Sequence, residues 1–175
     1  TPAQYDVEGM IQLLGGKKNF TAQLDSFFSI KALNPNKHLG QEAMIGQYAH
    51  GNEPSHHIAY LYAWSDKPHR TGELVTQICN EFYNNTTPGM IGNDDCGQMS
   101  AWYIFSTLGF YPVNPAAGEY VIGQPQIKSA TLSLPDGKVL QIKNSNRKSV
   151  TLKNHLVNGF KVSHKEITAG GLLNF

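Results

Sequence analysis

The sequence predicts a mixed α and β fold, with helices over residues 1–115 followed by an antiparallel β segment over residues 116–175. Two observations support this division. Apolar residues recur at helical spacing through the first part, whereas short apolar runs separated by turn residues follow the stretch at residues 110–115. With 175 residues, 40% of them hydrophobic, the chain is long enough for one ordinary domain or two small ones.

Two helices are predicted before the first long loop. Asp6 caps the first helix, which covers residues 7–14 and stops at the glycine pair at residues 15–16. Asn19 caps the second helix, and the apolar face of that helix consists of Phe20, Leu24, Phe27 and Phe28. A loop at residues 34–36 then separates this helical hairpin from the rest of the chain.

Three more helices are predicted before the period changes. Pro54 suits the first turn of a helix that ends near residues 64–66, and Pro68 begins the next one. The last runs to Leu108, with Asp95 as its N-cap and Gln98 completing a capping-box-like pair. That helix is apolar nearly all round, which is typical of the inner wall of a large helical barrel or bundle.

The β segment is predicted to contain four or five strands of an antiparallel sheet or half of a sandwich. Pro135-Asp136-Gly137 separates two of the apolar runs as a turn, and Asn158-Gly159 gives a strong hairpin signal. Two cysteines, Cys79 and Cys96, are consistent with free thiols or with one disulfide.

Several function classes have no support in the sequence. The net charge is +1 without a basic stripe, which argues against a nucleic-acid partner. A run of about 18 apolar residues is absent, which argues against a membrane span. We find no zinc-ligand spacing, phosphate-binding glycine loop or nucleophile elbow. The chain starts at Thr1 without a signal peptide, so we expect a piece of a larger protein.

Two polar clusters stand directly before predicted helices, at residues 51–57 and 92–95. Asp95 either only caps its helix or also acts as a general base, since the helix dipole would keep its carboxylate ionised. Neighbouring side chains in a loop point apart, so Asp94 is either solvated or supports Asp95. Glu53 either binds sugar hydroxyls or a cation, or only complements a helix dipole. His57 is either a hydrogen-bonded core residue or a ligand.

The same clusters carry a family resemblance. Residues 51–62 (Gly51-Asn52-Glu53-Pro54-Ser55-His56-His57 and the five that follow), 92–102 and 108–113 resemble glycoside hydrolase family 92, as do the shorter stretches 5–9 and 118–123. The resemblance implies a calcium-dependent, inverting exo-α-mannosidase, built from a β-sandwich domain and an (α/α)6 barrel. It implies that this chain supplies the last helices of that barrel and the strands after it.

The resemblance also implies roles for individual residues. Asp95 would be the general base that activates water, with Asp94 as possible support. Substrate contacts would come from Asn52, Glu53, His56 and His57, and a calcium ion would be held by Glu73 and Asp95. The general acid would lie outside this chain, because no glutamate here stands in a matching motif.

The partners implied are a mannose-containing glycan and the remainder of the mannosidase polypeptide. The implied location is periplasmic or secreted. The missing acid segment leaves one alternative of a different class, a non-catalytic carbohydrate-binding or structural module.

Overall fold

The computed structural model describes residues 4–31, 44–145 and 149–175, and the predicted loop at residues 34–36 lies outside them. The described α-helices are α1 (Val7–Leu13), α2 (Lys17–Ser29), α3 (His69–Phe82), α4 (Gln98–Leu108) and α5 (His164–Thr168). Short 3-10 helices cover Glu53–Ser55, Ile58–Trp64, Pro115–Ala117 and Pro135–Gly137. The strands are β1 (Met44–Ile45), β2 (Tyr48–Ala49), β3 (Phe110–Tyr111), β4 (Glu119–Ile122), β5 (Ser129–Ser133), β6 (Val139–Lys143), β7 (Thr151–Leu152), β8 (His155–Leu156), β9 (Lys161–Ser163) and β10 (Gly171–Asn174).

The first helical hairpin follows the prediction except at one cap. Asp6 accepts a hydrogen bond from the Gly9 amide at 2.8 Å and so caps α1. The prediction that Asn19 caps α2 is wrong, because α2 begins at Lys17 after Gly16. Asn19 lies inside the helix, where its side-chain amide donates to the carbonyl of Leu14 at 3.0 Å. This bond ties the start of α2 to the end of α1.

The segment Ile58–Trp64 lies at the centre of the helical part. It forms a 3-10 helix in which all seven side chains are buried, rather than the predicted amphipathic helix with one apolar stripe. Its Tyr60 hydroxyl is 2.9 Å from the hydroxyl of Ser106 in α4. Because α3 and the 3-10 helix pack together along their length, the core forms around their shared side chains. That core includes Tyr60, Tyr62, Leu74, Ile78 and Trp102.

The β part forms two sheets. One has the strand order β3-β4-β9, and the other has the order β5-β6-β10-β7-β8. Adjacent strands are antiparallel, as predicted, except that β10 pairs in parallel with β6. The last strand therefore lies in the middle of its sheet, where Leu173 is fully buried in a second core. The short helix α5, capped by Ser163 and Glu166 in a capping box, was not predicted.

The two parts meet at the end of α4. Gly109 ends α4 with a left-handed backbone conformation, and β3 follows at once, before the predicted boundary at residue 115. Phe105 of α4 packs against both hydrophobic cores and therefore joins the helical part to the sheets. Within the described ranges, none of the helices has the length and apolar character that crossing a membrane would require.

Candidate active site

A turn of unusual backbone conformation precedes α4. Three successive residues, Asp95, Cys96 and Gly97, have φ angles of 44°, 57° and 93°. Few non-glycine residues adopt this left-handed region, and such residues concentrate at functional sites. The turn is closed by backbone bonds from the amides of Gly97 and Met99 to the carbonyl of Asp94, at 3.1 and 3.2 Å. We call residues 94–97 the acidic turn.

The acidic turn reverses the predicted roles of its two aspartates at the helix end. Asp94 Oδ1 accepts a hydrogen bond from the Ser100 amide at 2.9 Å, which satisfies one of the free amides at the start of α4. The prediction that Asp95 is the N-cap is wrong, because the left-handed turn moves the helix start to Gln98 and leaves Gly97 in front of it. The carboxyl of Asp95 is exposed and is not used to cap α4.

The acidic turn brings Asp95 next to Glu53, which is carried by the other polar cluster. A hydrogen bond with the Asp95 carboxyl is the largest cause of a raised pKa of Glu53; partial burial and the Asp95 charge add to it, and the backbone amide of Glu53 opposes it. The two loops touch, since a Cβ added at Gly92 would lie 3.8 Å from the Cα of Gly51. Two carboxyls that are distant in the sequence therefore face each other at the surface.

Beneath these carboxyls, His56 connects the two loops. Its Nε2 lies 3.0 Å from the carbonyl of His50, which can only accept, so Nε2 carries the proton. Its Nδ1 then accepts from the side-chain amide of Gln98 at 3.1 Å, and its own carbonyl accepts from the Trp102 indole at 3.0 Å. Burial lowers the pKa of His56 to about 4, so the ring is neutral.

Both ring nitrogens of His56 are thus used inside the chain. A contact with substrate through one of them would require one of these hydrogen bonds to break. His57 is buried as well, and Asn52 lies exposed at the start of the 3-10 turn that carries Glu53. Substrate binding by Asn52, Glu53, His56 and His57 stays a prediction.

His50 is a residue that the sequence analysis missed. The Tyr83 hydroxyl donates to the carbonyl of Met99 at 3.2 Å, so it accepts from His50 Nε2 at 2.7 Å. The Tyr48 hydroxyl then donates to His50 Nδ1 at 2.8 Å. Burial, with the neighbouring ring of His56, lowers the pKa of His50 to about 3. A single histidine in an otherwise ordinary stretch has no spacing pattern that could have identified it.

The carboxylate oxygens available for a metal ion are few. Glu73 of α3 pairs with the guanidinium of Arg70 at 2.6 Å and is exposed. Among the described residues, no group of three or more His, Cys, Asp or Glu side chains is arranged to hold a metal. Glu53 and Asp95 offer adjacent carboxyls, which are ligands that calcium prefers, but calcium takes six to eight oxygens. These two residues therefore fit part of a calcium site.

Comparison with known proteins finds relatives among the glycoside hydrolases. The model of the glycosyl hydrolase family 92 catalytic domain matches residues 2–175. An uncharacterized secreted glycosidase from Arthroderma benhamiae is 30% identical over 143 residues, which cover 81% of this chain and 16% of that protein.

Similar solved structures belong to the same family as the matching family model. A family GH92 alpha-mannosidase from Bacteroides thetaiotaomicron, in complex with mannoimidazole, is 35% identical with a TM-score of 0.82 and covers 90% of this chain. A GH92 inverting mannosidase from the same species is 34% identical with a TM-score of 0.80 and covers 98% of this chain. The chain spans 22% and 25% of the lengths of these two structures. On the match over residues 2–175, the chain belongs to glycosyl hydrolase family 92.

Proposed function

We propose that this chain supplies the general base of an α-mannosidase that hydrolyses terminal α-mannosyl linkages of glycans. One observation carries the proposal. The carboxyl of Asp95 is exposed, is free of helix capping because Asp94 takes that role, and lies beside a second carboxyl, that of Glu53. The relatives support the substrate class, since two of them are described as mannosidases and one was solved with mannoimidazole.

In the proposed reaction Asp95 takes a proton from the attacking water. A base must reach the water from which it takes the proton, and the exposed carboxyl of Asp95 is accessible to water. Asp94 positions this base by holding the turn to Ser100. Inversion of configuration needs a second carboxyl about 6.5–9.5 Å from the base to leave room for water. We assign this general acid to a part of the polypeptide outside this chain.

Glu53 and Asn52 are proposed to contact the mannose unit from the facing loop. A calcium ion would be held by Glu53 and Asp95 together with further oxygens, and it would orient the sugar through its hydroxyl groups. Glu73 would first have to release Arg70 to join such a site. A periplasmic or secreted location is proposed too, because the relative from Arthroderma benhamiae is named a secreted glycosidase.

The proposal is tested by Asp95→Asn in the complete protein that carries these residues. Release of mannose from α-linked mannobioses is expected to fall about 10²–10⁴-fold, the usual contribution of a general base. Asp136→Asn is a matched control, because Asp136 is also an exposed aspartate with a left-handed backbone, at φ 60°. Asparagine tolerates this conformation, so both variants should fold.

Near-normal turnover by Asp95→Asn would overturn the role of Asp95. The non-catalytic alternative is tested on the unaltered complete protein. If the unaltered complete protein binds mannosides saturably but releases no mannose, it is a carbohydrate-binding module rather than a hydrolase.

A further inference from the structure

A groove of about 770 Å³ opens between α4 and the loop at residues 84–92. We call it the tyrosine groove. Its walls include Tyr83, Asn85, Thr87, Ser100, Tyr103 and Ile104. Tyr83 and Ser100 also bond to residues of the site described above, whereas Asn85, Thr87, Tyr103 and Ile104 do not belong to it.

One wall of the tyrosine groove is aromatic. The rings of Tyr83 and Tyr103 stack with their centroids 4.5 Å apart and their planes 28° apart. The Tyr83 hydroxyl is used by His50 and Met99, whereas that of Tyr103 makes no hydrogen bond within the described part of the chain. Tyr103 is 37% exposed, so its ring and hydroxyl are available to a ligand.

The opposite wall is a loop that needs no partner to keep its shape. Its Asn84 amide donates to the Gly89 carbonyl at 2.7 Å, and the Thr86 amide donates to the Asn84 side chain at 3.0 Å. A Cβ at Gly89 would collide with the carbonyl oxygens of Asn84 and Thr86, so the loop closes tightly there. By contrast, the exposed side chains of Asn85 and Thr87 make no hydrogen bond to any described residue.

The chemistry of the tyrosine groove fits a neutral sugar. Its described lining residues include no Asp, Glu, Lys, Arg or His, which argues against a charged ligand. Aromatic rings can stack on the apolar face of a pyranose, and amide and hydroxyl groups can bond its hydroxyls. A few polar groups placed around an apolar surface are typical of small-ligand sites.

The tyrosine groove also adjoins the acidic turn, which carries the proposed base. Ser100 lines the groove, and its amide donates to Asp94 in the acidic turn at 2.9 Å. Gly92 lines it too and lies near Gly51 of the facing loop. We propose that the tyrosine groove binds a neutral hexose of the same glycan, beyond the two sugars joined by the linkage that is cut. This inference rests on the proposed function.

The test compares two substrates of the complete protein. Tyr103→Ala should lower kcat/KM for an α-mannotetraose about fivefold or more, the loss expected when an aromatic contact is removed, and leave kcat/KM for an α-mannobiose unchanged. Tyr103→Phe keeps the ring and should retain most of the activity. Asn85→Ala, in an exposed loop, should show the same selectivity with a smaller loss. Tyr5→Ala is the control, since Tyr5 is 76% exposed and does not line the groove.

Two results would overturn the inference. Equal losses on both substrates together with a lower melting temperature would mean that Tyr103 packs against the rest of the polypeptide, as its neighbour Ile104, 56% exposed, would allow. No loss on either substrate in Tyr103→Ala and Asn85→Ala would mean that no sugar occupies the groove.

A failure of the proposed function is distinguishable from a failure of the groove. If the unaltered protein hydrolyses neither substrate, calorimetric binding of α-mannotetraose tests the groove alone. Weaker binding by Asn85→Ala than by the unaltered protein supports the inference, and equal binding or an absence of binding by the unaltered protein overturns it.

Discussion

The two loops that meet before α4 have a buried layer and an exposed layer of very different chemistry. In the buried layer, His50 and His56 are at most 1% exposed and use all four of their ring nitrogens in hydrogen bonds within the chain. In the exposed layer, Glu53 and Asp95 have each other as neighbours. The buried layer fixes the positions of the loops with neutral groups, and the exposed layer leaves its carboxyls accessible to a ligand.

This difference has a physical basis. A buried polar group is tolerated when its hydrogen bonds are complete and it carries no charge, and both histidines meet these conditions because burial lowers the pKa of each. Two adjacent carboxyls are tolerated only near water or with a shared proton or cation. The comparison therefore predicts that changes in the buried layer affect stability and that changes in the exposed layer affect ligand binding and turnover.

The largest expected effect on stability comes from His50→Ala. The change would open a cavity among aromatic rings and leave the buried Tyr48 hydroxyl without its described partner, for a loss of about 3 kcal/mol in the free energy of unfolding. Urea unfolding of the complete protein measures it. The control is His155→Ala, an exposed histidine, which should change stability by less than about 0.5 kcal/mol. Equal effects of the two changes would contradict the view of His50 as a structural centre.

Acidification should have the next largest effect. The pKa values of His50 and His56 are lowered to about 3 and about 4, against 6.5 for an ordinary histidine. Below pH 6.5 the unfolded chain therefore binds protons that the folded chain does not, and stability falls as the pH falls. Between pH 7 and 5.5 the loss is about 1.2 kcal/mol for each histidine, or about 2.5 kcal/mol for the pair. Urea titrations at both pH values measure it, and a flat profile would show that the rings are already charged.

The buried layer is also where the sequence was least informative. A periodic apolar pattern predicted α2 and α3, because their side chains repeat toward one core. His50 has no such repeat, and its hydrogen bonds reach Tyr83, which is 33 residues away. The parallel pairing of β10 with β6 was equally invisible, since the partners lie about 30 residues apart and no local turn specifies them.

For the exposed layer, the sequence identified the carboxyl residues but not the backbone conformation that positions them. Asp94, Asp95 and Glu53 stood out because carboxyls beside glycines at helix starts are unusual. The capping rule then chose the wrong aspartate, since it assumes that the chain enters the helix in an extended conformation. Three successive left-handed residues displace the helix start instead, and a single sequence does not signal them.

Asp94→Ala compares the two aspartates directly. Loss of the bond to Ser100 should cost about 1 kcal/mol of stability, as for other side chains that cap a helix, and should lower turnover because the acidic turn loosens. Asp95→Asn, which keeps a residue that tolerates the left-handed backbone at φ 44°, should leave stability nearly unchanged while abolishing most of the turnover. Thermal unfolding and mannose release, measured on the same two variants, separate the effects. If the Asp95 variant lost stability and Asp94→Ala did not, Asp95 would be the residue that supports the helix.

Glu53→Gln should have a small effect on stability, and the sign of that effect is informative. A raised pKa means that the folded chain holds the Glu53 proton more tightly than the unfolded chain, so the stabilisation belongs to low pH and is lost as the pH rises through the raised value. Above the raised pKa the two carboxylates repel, and there Glu53→Gln should raise stability by less than about 1 kcal/mol, since Glu53 is only partly buried.

Calcium should reverse the order of stability of the Glu53→Gln variant and the unaltered protein. If Glu53 and Asp95 hold the ion, calcium raises the melting temperature of the unaltered protein more than that of the variant, because a bound ligand stabilises the state that binds it. Glu81→Gln, an exposed change in α3, is the control and should respond to calcium as the unaltered protein does. An equal response of all three proteins would place the calcium site elsewhere, and the exposed carboxyls would then act on the substrate without a shared ion.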